Sequence, residues 1–377
     1  MRTISACRER LETLLPGLDA ALAKLDLEVM ERPGSPALDA FRASGGPGLL
    51  VPQVHGGLGA SAVDALACAR AIGSRSPSLA VATTMHHFSV ASLVALAEHS
   101  DGFEWMLLDA VATDRLLVSS AFAEGRTGQG ILSPTVTAVR DGTAWLLSGR
   151  KKPCSLSRSM DLMTASVALD EGDGAEPELG VALVPATVPG ISVRPFWGSD
   201  VLAGAESDEV VLEDVRVEDE LMIRPRLDPG SNLDNLQTVG LVWFSLLVSA
   251  GYVGVATALV ERVLDHGVAD PATRGAVALE LESAYLALER VAMEVDEGHT
   301  DNDTLAAALT VRYAAQRSVA DAVSRSVGLL GGMAFIGSPE VAALASSATA
   351  FQFHPPSVRA GTAALDAWLG GAVVRID

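Results

Sequence analysis

The chain has 377 residues, room for two or three domains, and with 49% hydrophobic and 20% charged residues it has the material for a large core rather than a disordered chain. Its net charge of −20, with no basic run, excludes nucleic acid as a first partner, because phosphate contact needs a basic face. Aromatics are only 5% while Ala, Leu and Val abound, which favours helices packed closely on small side chains.

Cys7, Cys68 and Cys154 are far apart, odd in number and without metal-ligand spacing, so they read as buried thiols of a reducing compartment and no metal site is expected. The first ten residues carry charges where a signal peptide needs its apolar stretch, so no export signal is assigned and a cytoplasmic location is expected. Residues 238–260 are uncharged and long enough to cross a bilayer, but Gly240, Ser245, Ser249, Gly251, Gly254 and Thr257 interrupt them and no basic cluster flanks them. A buried central helix, not a membrane span, is the expectation.

In chain order, residues 1–116 read as an N-terminal helical domain. Apolar periodicity runs from Ile4 to Val29, then through Ala62–Ile72, Leu79–Glu98 and Phe103–Thr113. Pro33, Gly34 and Pro36 punctuate it, Gly56, Gly57 and Gly59 make a loop, and Ser61 is placed to cap the next helix. Residues 117–228 read as a β domain, with strands at 117–122, 135–139, 144–148, 162–168, 180–185 and 209–212 and a hairpin turn at Asp141-Gly142. Short, regular strands predict a small antiparallel barrel or sandwich. From Leu233 helices return, with a charged loop at 296–303, making residues 229–377 a C-terminal helical bundle. The fold class is α+β, multidomain.

Six motifs then fall in order along nearly the whole chain. They are Val51-Pro52 with Gly56-Gly57-Leu58-Gly59; Ala71-Ile72-Gly73 with Ser76-Pro77-Ser78-Leu79-Ala80; Gly149-Arg150-Lys151-Lys152; Val184-Pro185 with Pro189-Gly190-Ile191; Ser207 to Val217; and Gly331-Gly332-Met333-Ala334-Phe335. Together they resemble the acyl-CoA dehydrogenase superfamily. The resemblance implies a β barrel between two helical domains, FAD or FMN at their junction, an acyl thioester of coenzyme A or a carrier protein, and a homodimer or homotetramer joined through the C-terminal helices.

The resemblance also assigns residues. The segment from Phe122 and Ala123 through Glu124, Thr127, Gly128 and Gln129 takes the place of the loop that lines the flavin, although only Glu124 and Gly128 match it. Pro153-Cys154-Ser155 stands where a Trp-Ile-Thr strand meets the ring, with Ser155 keeping the hydroxyl, Cys154 reading as packing and the proline suiting an edge strand. Gly331 and Gly332 match a cofactor-binding pair, whereas the arginine for a pyrophosphate has no counterpart, Arg274 being out of register, and Gly328 stands where a glutamine is usual. The usual catalytic glutamate is missing at both family positions, which read 351–357 and Phe244 here.

In its place His354-Pro355 resembles the His-x-Pro of the oxygen-using branch, where a histidine serves as acid or base near neutral pH. His86 and His87 lie where that branch also puts a histidine, and Trp243, Phe244 and Tyr252 mark the expected substrate wall. Three readings stay open. In the first, an acyl-thioester oxidoreductase with an electron-transfer partner uses His354 or Glu124 as base. In the second, a monooxygenase takes reduced flavin from a reductase. In the third, a non-redox protein keeps the fold. The first is the main expectation.

Overall fold

The computed structural model describes residues 1–98, 103–125, 133–172, 174, 176–224, 233–267 and 269–376. The first apolar run is three helices rather than one: α1 (Arg2–Leu14), α2 (Leu18–Leu22) and α3 (Leu27–Met30). Pro16 lacks the N–H a continuing helix needs and Gly17 turns the chain at φ 86°, yet Ile4, Leu11, Leu18 and Leu22 still face one core. α4 (Pro36–Ala43) follows, then α5 (Ala62–Gly73), whose first turn is capped by Ser61 Oγ accepting from Asp64 N, as the sequence predicts. α6 (Pro77–Ala97) and α7 (Glu104–Thr113) complete the N-terminal helices.

The strands are β1 (Val118–Ala121), β2 (Thr137–Asp141), β3 (Ala144–Cys154), β4 (Leu162–Asp170), β5 (Glu178–Pro185), β6 (Ile191–Arg194), β7 (Asp208–Glu218) and β8 (Met222–Ile223). They form one sheet in the order β6-β7-β3-β2-β4-β5-β8, and β1 pairs with β4. The sheet is mixed, correcting the antiparallel expectation. β1 and β2 both run parallel to β4, β1 against 162–165 and β2 against 168–170, so they share one edge of β4 end to end. A hairpin turn joins β2 and β3 as expected, but its two residues are Gly142-Thr143, one later than Asp141-Gly142, with Gly142 at φ 64°. β6 and β8 escape sequence reading because they are short and carry little alternation. Pro153 lies at a bulge between β3 and β7, where the register shifts between Lys151 and Cys154, and not on an edge.

The C-terminal helices are α8 (Asn235–Asp265), α9 (Pro271–Asp296), α10 (Asn302–Gly337), α11 (Pro339–Thr349) and α12 (Val358–Leu369). α6, α8 and α10 are each long and apolar enough to cross a membrane by length and composition. The most apolar, α8, buries that surface against α5, α6 and α10. Glycine allows this: a Cβ on Gly73 would lie 2.0 Å from the Gly251 carbonyl oxygen, so the backbones of α5 and α8 touch. α6 and α8 thus lie side by side and meet the sheet at their cavity ends.

Candidate active site

One cavity of about 280 Å³ opens where α6, α8, the sheet and residues 350–355 converge. α6 contributes Val81, Met85, Phe88 and Ser92, spaced to share one helix face. α8 contributes Gln237, Gly240, Leu241 and Phe244 by the same spacing, and Phe88 meets Phe244 edge to face at 5.4 Å. The sheet adds Phe122, Ala123, Pro153, Ser155, Thr164 and Ser207. No Asp, Glu, Lys or Arg among the described residues lines it, so its polarity comes from hydroxyls, one amide and His354.

The structure brings together five of the residues expected from sequence: Phe122, Ala123, Ser155, Phe244 and His354 all line this cavity. Ser155 Oγ shares a hydrogen bond of 3.0 Å with Ser207 Oγ, and its backbone carbonyl accepts from Ser119 Oγ at 2.5 Å, which fixes the end of β3 against β1. Cys154 beside it is buried and contacts Ser119 Oγ, the packing role expected. Thr127, Gly128 and Gln129 lie outside the described residues.

His354 is half-buried, and desolvation first, with the nearby Arg312 cation second, lowers its pKa to about 3. It is therefore neutral at physiological pH, unlike the histidine titrating near neutrality that the sequence led us to expect. Its Nε2 lies 2.9 Å from the Tyr252 hydroxyl, and burial raises the pKa of that phenol, so a neutral ring meets a neutral phenol. Arg312 on α10 donates to the carbonyls of His354 at 2.6 Å and Pro355 at 2.9 Å, and its guanidinium sits 5.2 Å from the Phe244 ring centre. It forms no ion pair with a carboxylate among the described residues. Tyr313 Oη, next along α10, donates to the Pro356 carbonyl at 3.1 Å. The turn that carries His354 is thus clamped by adjacent residues of one helix.

The remaining expected residues lie elsewhere. Glu124 is an anchor and not a base exposed to the cavity. Burial pushes its pKa up, but hydrogen bonds from Lys151 and Thr135 outweigh burial and hold the carboxyl at about 2. Lys151 Nζ lies 2.9 Å from Oε1, and Thr135 N, Thr135 Oγ1 and Val136 N also donate to this carboxylate. That network ties the strand end beyond β1, bridged to Lys152, to the start of β2, and so sets the wall at Phe122 and Ala123.

His87 is a core residue packed on Phe41, with Nε2 near the Gly46 carbonyl at 3.3 Å. Its neighbour His86 bridges the Pro47 carbonyl at 2.9 Å and the Val118 N–H at 3.0 Å. Because Val118 donates to Nδ1, the proton of His86 is on Nε2. Burial keeps both rings neutral, at about 4 for His86 and about 3 for His87. Trp243 is half-buried against the core and does not line the cavity, and Tyr252 stands behind His354, stacked on Phe351 at 4.8 Å. Gly331 is a kink in α10 at φ 81°, and neither it nor Gly332 lines the cavity.

Sequence reading missed Gln237, Ser207, Phe88 and Arg312. Arg312 left a signal: an arginine in an Ala-rich helix whose neighbours at three and four residues (Ala308, Leu309, Ala315 and Gln316) offer no acid. Gln237 left another, in the Asp234-x-x-Gln237 pattern of a capping box. Phe88 left none, because α6 is apolar on every face.

No protein-family profile matches the chain. It is 46% identical over 379 aligned residues to isobutylamine N-hydroxylase of Streptomyces viridifaciens, with all of both chains covered. It is 26% identical over 266 residues to acyl-CoA dehydrogenase FadE12 of Mycobacterium tuberculosis, covering 66% of each. The chain belongs to the acyl-CoA dehydrogenase superfamily of flavoproteins. FMN-bound TdsC from Paenibacillus sp. A11-2 shares the fold at a TM-score of 0.79 and 20% identity, over 98% of this chain and 97% of that one.

This member of the superfamily is a flavin-dependent oxidoreductase. The cavity fits the cofactor: Phe122 and Pro153 would give apolar surface for a flat ring, and Ser155, Ser207 and Thr164 would give hydroxyls for its carbonyls and nitrogens.

Proposed function

We propose that this flavoprotein is the oxygenase component of a two-component system that N-hydroxylates a small aliphatic amine. The bound reduced flavin supplies two electrons and activates dioxygen. The balance is RNH2 + O2 + reduced flavin giving RNHOH, water and oxidised flavin: an N–O bond forms, the O–O bond breaks, and the second oxygen leaves as water. The observation that carries this reading is the lack of any carboxylate in the described cavity wall, in a chain 46% identical end to end to an amine N-hydroxylase. Removing a proton beside a thioester carbonyl needs a positioned base. An amine that arrives as its free base brings its own lone pair and needs none. The findings favour this oxygenase alternative over the thioester reading, which has neither Glu124 nor a charged His354 to serve it.

Each part of the wall has a task in this reading. Phe88, Leu241 and Phe244 exclude water and select an alkyl chain and an uncharged amine, since no anion among the described wall residues is there to pair with an ammonium. Ser155 and Ser207 hold the flavin. His354, turned by Tyr252 and Arg312, is the neutral hydrogen-bonding group that handles the proton leaving the nitrogen. A flavin reductase drawing on the cytoplasmic nicotinamide pool is the required partner. Exposed Met333, Phe335 and Ile336 at the end of α10 support self-association through the C-terminal helices.

The test is a coupled assay with a flavin reductase, NAD(P)H, FMN or FAD, and isobutylamine under isotopically labelled dioxygen. The expected product is the hydroxylamine carrying one labelled oxygen. Unchanged amine, together with anaerobic bleaching of bound flavin by an acyl thioester, would overturn the reading.

A further inference from the structure

Gln237 is the third residue of α8 and closes a reciprocal pair with Asp234. The Asp234 carboxylate accepts from Gln237 N at 2.7 Å, and Gln237 Oε1 accepts from Asp234 N at 3.2 Å. This fixes the amide orientation, because a flipped amide would set two donors against each other. Nε2 is therefore turned away from Asp234. It is buried without a hydrogen-bond partner among the described residues, and Gln237 lines the cavity. The other buried side-chain atoms without partners belong to Arg70, Glu206, Ser245, Arg312 and Ser326, none of which lines the cavity. Buried donors are almost always satisfied, so this one calls for an acceptor on whatever fills the space.

We propose that Gln237 determines specificity by donating a hydrogen bond to an oxygen on the substrate's carbon chain, so that the preferred substrate is an amine carrying an ether, hydroxyl or carbonyl group. This deepens, and rests on, the amine N-hydroxylation reading. The reacting nitrogen is not the acceptor, because its one lone pair must remain free to attack oxygen. The flavin is not the acceptor either. Its wall is Phe122, Pro153, Ser155 and Ser207 on the sheet, whereas Gln237 projects from α8 on the helical side, in line with Gly240 and Phe244. Around it Leu236, Leu241 and Phe244 are apolar, and the facing Ser89 and Ser92 hydroxyls donate to carbonyls of their own helix, so the amide is the unpartnered donor on this side of the described wall.

The experiment compares methoxyethylamine with n-butylamine, and methoxypropylamine with n-pentylamine, pairs equal in heavy atoms but for an ether oxygen in place of a CH2. Dissociation constants come from perturbation of the bound flavin's absorbance and kcat/KM from the coupled assay, both expressed per free-base amine because the ether lowers basicity. The expected result is a preference of about tenfold or more for at least one ether. That preference falls to about one in Gln237→Glu, which keeps an acceptor for Asp234 N but has no donor. Equal constants in the unsubstituted protein would overturn the proposal, whether or not the variant folds. So would an ether preference that survives Gln237→Glu, or a variant whose only change is weaker flavin binding. Ether-selective binding without oxygenation of any amine would sink the N-hydroxylation reading and leave Gln237's role standing, because binding does not depend on turnover.

Discussion

The wall around Glu124 and the turn around His354 hold the two groups expected to do chemistry, and they differ in what is left over. At Glu124 both carboxylate oxygens are engaged, by Lys151, Thr135 and Val136, and the side chain does not reach the cavity. His354 has one ring nitrogen on Tyr252 and the ring itself on the cavity wall. His86 belongs with Glu124: both of its nitrogens are taken by backbone groups. Glu124 and His86 are buried and His354 is half-buried. What separates anchor from active group is whether the partners leave an atom free and facing space.

On that distinction, damage at the closed sites appears in stability and damage at the open site in turnover. Lys151→Met strands the Glu124 carboxylate among backbone donors with no cation, and should cost about 3–5 kcal/mol in urea unfolding. His86→Ala leaves the Pro47 carbonyl and Val118 N–H unpaired, for a loss of about 2–4 kcal/mol. His354→Ala should instead lower kcat by about 100-fold with a much smaller change in Tm, since cavity water can replace the ring. A His354→Ala variant that unfolds while keeping its specific activity would place that histidine with the anchors.

Acid probes the three histidines together. His86, His87 and His354 have folded-state pKa values lowered to about 4, 3 and 3, so below about 6.5 the unfolded chain binds more protons than the folded one. Stability therefore falls as pH drops from 6.5 towards 4, by about 1.4 kcal/mol per pH unit for each histidine. Glu31, raised by burial, works the other way by holding its proton in the fold above the usual carboxylate range. Unfolding midpoints at pH 7 and pH 5 check this, and a pH-independent midpoint would mean that the rings are not sealed. The smallest effect is at the flavin: Ser155→Ala removes one hydroxyl and should weaken flavin binding by about 1 kcal/mol, close to fivefold, in a fluorescence titration.

Much of the architecture could be read along the chain. The change from helical to strand periodicity near residue 117, the hairpin turn at Gly142 (to within one residue) and the Ser61 cap depend on neighbours within a few residues, and the structure has each of them. The apolar run at 238–260 marked a buried helix, and its glycines let α5 and α8 touch. What the linear pattern does not contain is pairing over long distances. Lys151 meets Glu124 across 27 positions, His354 meets Tyr252 across 102, and Gly46 and Pro47 meet His87 and His86 across about 40. Each partnership decides whether a titratable group is spent or available, and each exists only after the sheet and helices have packed. By itself the sequence determined the kind of fold, its family and a short list of chemically able residues. The tertiary structure decided which of them have an atom free to act, because hydrogen-bond saturation and burial belong to the assembled neighbourhood and not to the residue.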